Sequence, residues 1–96
     1  MLIQFFSSIR DITGEKGLQW DEPTPTLREL LVRLSERYGP RLQRWLLEGE
    51  ELGSSVLVLI NGEDVRHGSG LVSRLQPDDI VAILPMMAGG AKETRE

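Results

Sequence analysis

Apolar side chains alternate with polar ones at both ends of the chain and recur at helical spacing in its middle. At the start, LIQFFSS (residues 2–8) suits a strand with Ile3 and Phe5 on one face and Leu2, Gln4 and Phe6 on the other. DITGEKG then predicts a turn, because Gly14 and Gly17 supply permissive backbone. LQWDE follows as a short return strand, making the first unit a hairpin.

The strongest periodic signal follows. Thr26 precedes an apolar series and Glu29 stands three residues later, the pattern of a capping box in which each side chain satisfies the other's free backbone donor. Leu27, Leu30, Leu31, Leu34 and Tyr38 share one stripe, so this helix is expected to bury that stripe as core. Gly39 offers a left-handed C-terminal position and Pro40 blocks continuation. RLQRWLLEGE reads as a second, shorter helix with Leu42, Trp45 and Leu46 inward and Gly49 as its stop.

SVLVLINGEDV is a strand running into Asn-Gly, which tolerates the positive φ angles of a tight hairpin turn. In GLVSRLQPDD, Leu71 and Leu75 pin a single turn to the core, and Pro77, Asp78 and Asp79 turn the chain into the last strand, IVAIL. The closing AKETRE is polar and expected to be disordered. This order predicts an α+β domain, a mixed sheet packed against one main helix plus a short second helix. If the first and last strands are neighbours, the sheet is of β-grasp type.

Ninety-six residues suit one domain with one modest core. Eleven basic and 15 acidic side chains leave a net charge of −4, which argues against a nucleic-acid partner. Arg28, Arg33, Arg37, Arg41 and Arg44 cluster mid-chain and read as a solvated helix face. With no cysteine there is no disulfide, thiolate nucleophile or cysteine metal site. No secretory leader or membrane-spanning apolar run is visible, so a cytoplasmic protein with no membrane partner is expected.

Conventional catalysis finds little support. His67, the only histidine, has Glu63 and Asp64 nearby, but three groups on one hairpin without a second His or Cys are a weak ligand set, and no metal site is assigned. No serine has a recognisable base partner, and no phosphate-binding glycine loop is present. The adjacent carboxylates Asp21-Glu22 and Asp78-Asp79 suffice as turn formers. What remains is the terminus. After the last strand, MMAGG is an arm of about 17 Å when extended. Its two glycines, lacking Cβ atoms, can thread a narrow channel in another protein.

Together, FFSSIRDITG, TLRELLVRLSERYG, VLINGEDVRH, GLVSRLQPDDIVAILP and MAGG resemble the ubiquitin-like sulfur carriers, above all the small subunit of molybdopterin synthase. The resemblance covers residues 1–90, and the long segment around Trp45 is closer to the molybdopterin branch than to the usually shorter thiamine-pathway carriers. It implies a β-grasp domain over 1–88 and a diglycine motif at 89–90, which leaves 91–96 as a tail beyond the motif. It also implies that a ubiquitin-activating-type adenylyltransferase uses ATP to adenylate Gly90, with Gly89 completing the motif, and that no cofactor is bound tightly. Sulfur transfer then makes a thiocarboxylate, which the molybdopterin synthase large subunit would consume. By the same resemblance Phe6, Leu59 and Leu84, with Met86 and Met87 at the base of the arm, contact partners. Ile3, Phe5, Val58, Ile60, Val81 and Ile83 take the opposite strand phase and face the core. One departure stands out: AKETRE follows Gly90, so either a processing protease removes 91–96 before adenylation or the chain does not carry sulfur. The alternative is a ubiquitin-like protein modifier, or a carrier for tRNA thiolation, thiamine or amino-acid synthesis.

Overall fold

In the computed structural model, which describes residues 1–86, the central layer is a five-stranded mixed sheet. Its strands are β1 (Leu2–Phe5), β2 (Gly17–Gln19), β5 (Val56–Ile60), β6 (Glu63–Asp64) and β7 (Ile80–Pro85), ordered β2-β1-β7-β5-β6. β1 and β7 are parallel neighbours, with Ile3 opposite Val81 and Phe5 opposite Ile83. The adjacency expected of a β-grasp sheet is present, and the last strand lies at its centre.

The main helix α2 (Leu27–Tyr38) buries the predicted stripe: Leu27, Leu30, Leu31 and Leu34 are wholly enclosed. They pack with Ile3, Phe5, Val56, Val58, Val81 and Ile83 from the sheet. Tyr38 closes one end of this layer, its ring edge-on to Phe5 at 5.7 Å and its hydroxyl donating to Glu15. Only half of the capping box forms among the described residues: the Thr26 hydroxyl accepts from the Glu29 backbone N–H at 3.4 Å. Gly39 takes a positive φ of 95°, but with an extended ψ of −174° in place of the left-handed helical one expected. Pro40 begins the next helix, α3 (Pro40–Leu46), where its missing N–H costs nothing.

Asn61 and Gly62 form the anticipated turn with φ of 52° and 86°. Asn61 also ties this turn to the start of β7. Its side-chain oxygen accepts from the Ile80 N–H at 2.9 Å and its amide donates to the buried Asp79 at 2.9 Å. Leu75 is buried below the 3₁₀ turn Gly70–Val72, in keeping with its expected role as a pin.

Three local readings are corrected. The first strand ends at Phe5 rather than continuing to Ser8, and Ser7–Thr13 forms a helix, α1, that ends in a left-handed Gly14. The predicted hairpin between β1 and β2 exists, with this helix inserted in its connection. Ile9 and Ile12 are the only large apolar residues in SSIRDIT, too few to display a period. The helix is held because Ile9 is wholly buried. Gly49 does not stop α3. It sits, at φ 63°, in the turn of a small hairpin between β3 (Leu47–Glu48) and β4 (Glu51–Leu52). Trp45 is not fully inward; it is half-buried, packed on the margin of the core.

Candidate functional site

The candidate site is built around the end of β7. That strand has two faces set by its pleat: Val81 and Ile83 point to the helices, whereas Ala82 and Leu84 point to the opposite, outer surface. Phe6 keeps its extended backbone and donates to the Ile83 carbonyl at 3.1 Å, so it continues the ladder beyond β1 beside Leu84. On the other flank, β5 places Leu57 directly opposite Leu84 and Leu59 opposite Ala82. Phe6, Leu57, Leu59 and Leu84 are all partly exposed and together make an apolar outer surface.

The strand phase expected from the alternation therefore holds for Phe6, Leu59 and Leu84. Of the strand residues assigned to the core, only Ile60 is partly exposed, packed at the core's margin. Leu57 was missed, although it shares the phase of Leu59 two residues away. Beside Leu57 and Leu59 the surface dips into a depression of about 490 Å³ that reaches Asp64 and His67. No group of three or more His, Asp or Glu side chains that could hold a metal ion occurs among the described residues.

The base of the arm is anchored. The Met86 N–H donates to the Ser55 carbonyl at 2.7 Å, extending the β5–β7 ladder one residue past Pro85. Met86 is partly exposed. Met87, Gly89, Gly90 and the segment 91–96 lie outside the described residues. On the α1 side of the exit, the Arg10 guanidinium lies 5.9 Å from the centre of the Phe6 ring and donates to the Phe5 carbonyl at 3.3 Å. A cation thus flanks the apolar surface where the chain leaves the sheet.

Of the five clustered arginines, Arg33 pairs with Glu22, and Arg28 donates to the Glu50 carbonyl at 2.6 Å. Arg37 lies over the Tyr38 ring at 5.5 Å. These three meet their partners on the helix surface, in keeping with a solvated face. No helix among the described residues is long and apolar enough to cross a membrane.

Residues 3–90 match the model of the ThiS family. The chain is 33% identical over 89 residues to small archaeal modifier protein 3 of Haloferax volcanii, covering 92% of this chain and 96% of that one. It resembles the solution structure of small archaeal modifier protein 1 from Methanosarcina acetivorans with a TM-score of 0.77 at 31% identity, covering 93% and 94% of the two chains. A chain in the crystal structure of the Amycolatopsis orientalis BexX/CysO complex is similar too, with a TM-score of 0.76 at 30% identity, over 93% of this chain and 98% of that one.

Proposed function

The chain belongs to the ThiS family of ubiquitin-like sulfur carriers and modifiers, and from that premise we propose that its working end is Gly90. The observation that carries this reading is the span of the family match, which runs to Gly90 and leaves residues 91–96 outside it. A peptide bond to Ala91 denies Gly90 a free carboxylate, so a protease removes the tail first. The freed carboxylate attacks the α-phosphate of ATP in an adenylating enzyme of ubiquitin-activating type. Pyrophosphate leaves and an acyl-adenylate remains. Hydrosulfide-level sulfur then displaces AMP, and the resulting thiocarboxylate supplies sulfur to the molybdopterin synthase large subunit for a molybdenum or tungsten cofactor. The β7 ladder supports this role mechanically. It holds Met86 on a central strand, four residues before Gly90, so the body stays outside the partner while the glycines enter.

The relationship to a protein called a modifier favours a second reading on the same chemistry. There the activated Gly90 carbonyl passes to an amine of another protein instead of to sulfur. One experiment separates the two. The chain ending at Gly90 is incubated with ATP, the activating enzyme and a sulfur donor, then weighed by mass spectrometry. A gain of about 16 Da, oxygen replaced by sulfur, is the expected product of acyl activation. Isopeptide conjugates without that gain favour the modifier. Protein from its own cells that still ends at Glu96 and nevertheless supports cofactor synthesis overturns the role of Gly90.

A further inference from the structure

On the helix side of the same exit lies a second feature that the apolar sheet face does not explain. A cleft of about 330 Å³ is lined by Ile12 of α1, by Arg41, Arg44 and Trp45 of α3, and by Glu48 and Ser55. Its charge is net positive, two guanidinium groups against one carboxylate. Arg41 and Arg44 stand one helical turn apart and are exposed, and the one ion pair among the described residues, Arg33 with Glu22, does not involve them. Glu48 is the only carboxylate on the lining, and it is already engaged, accepting from the Ser54 backbone N–H at 3.0 Å and its hydroxyl at 2.8 Å. Among the described residues neither guanidinium is paired with a carboxylate, in a chain of net charge −4.

The cleft also has an apolar wall. Trp45 is half-buried and Ile12 partly exposed beside it. Exposed Arg next to a partly exposed Trp is the composition that protein interfaces enrich, since the aromatic ring supplies area and the fork binds carboxylate bidentately. Position supplies the last constraint. Ser55 lines the cleft and its carbonyl accepts the Met86 N–H, the final described rung before the arm.

We propose that this cleft is a second contact surface for the activating enzyme, and that it receives an acidic segment of that enzyme whose apolar side chain packs on Trp45 and Ile12. The inference rests on the reading of Gly90 as an activated terminus, because the cleft's relevance comes from its place at the exit. The enzyme then grips the body on both sides of the arm, with apolar contact on the sheet face and ionic contact on the helix face. A rim of charges of this kind speeds encounter and sets orientation more than it adds affinity.

The test measures binding of the chain ending at Gly90, which keeps the whole described fold, to the purified activating enzyme at low and high salt. Arg41→Glu/Arg44→Glu should bind about tenfold more weakly at ~0.05 M salt, a loss that shrinks to about twofold at ~1 M as the charges are screened. Its thermal unfolding should match the wild type, both side chains being exposed. Leu84→Asp should weaken binding at every salt concentration. If Arg41→Glu/Arg44→Glu binds like the wild type while Leu84→Asp does not, the cleft is a solvated face and the proposal fails alone. If the wild-type chain does not bind the enzyme at all, the reading of Gly90 fails and takes the proposal with it.

Discussion

The two faces of β7 are both apolar, yet they answer to different demands. Val81 and Ile83 are 0% exposed against α2, whereas Ala82 and Leu84, their immediate neighbours, stay partly open on the outer surface. On the inner face, chemistry and packing agree: an apolar side chain is required because no water reaches it. On the outer face nothing among the described residues demands Leu57, Leu59 and Leu84, and polar residues would satisfy the strand equally well. Apolar surface without a packing obligation is surface available to another molecule. That contrast distinguishes the candidate face from the core face of the same strand.

The largest effect separates the faces directly. Phe5→Ala, on the inner face, should cost about 3–5 kcal/mol because it removes a wholly buried ring and its edge contact with Tyr38. Leu84→Asp should cost about 1 kcal/mol or less in the same denaturant titration. Equal losses would erase the distinction and put Leu84 in the core.

An intermediate effect concerns the helix that covers the inner face. Thr26→Ala should cost about 1 kcal/mol, since its hydroxyl satisfies the Glu29 N–H. Chemical denaturation reads this loss, and sulfur transfer by the folded fraction should be unchanged. Activity lost without stability would show that the α2 end of the molecule, and not only the outer face, meets a partner.

The smallest effect is a pH dependence on a surface belonging to neither face. The backbone and side-chain bonds from Ser54 hold the Glu48 carboxyl below its ordinary value of 4.5. A depressed folded pKa adds stability above the unfolded value, and this is lost as pH falls through the folded one. Glu48 is fully exposed, so the increment is small. Unfolding midpoints of the wild type and Glu48→Gln should differ near neutrality and converge below pH 4.5. A gap that persists in acid would mean that Glu48 acts through packing and not through its charge.

Much of this contrast is legible in the order of residues alone. Alternation in VLVLI and IVAIL assigns the faces of β5 and β7, and the leucine stripe of α2 spans enough turns to display its period. Helix α1 is not legible, because two isoleucines over two turns look like a loop until Ile9 is seen plugging the core. Nor is the β3–β4 hairpin, each strand being two residues long. Gly53 looks like one more loop glycine, yet a Cβ there would meet the Trp45 carbonyl oxygen at 2.0 Å.

The same division runs through the candidate site. The diglycine is a local feature, and the sequence alone determined it, along with the capped helix α2, the Asn-Gly turn and the phases of the long strands. Each of these is written in neighbouring residues, where backbone preference and periodicity act. Tertiary structure alone decided that β1 lies beside β7, that Leu57 faces Leu84 next to Phe6, and that α1, α3 and Ser55 enclose a cationic cleft at the exit. Those arrangements join residues many positions apart, and no local pattern records them. Burial of one shared core brings such segments together, and only the folded chain shows which surfaces that burial leaves uncovered.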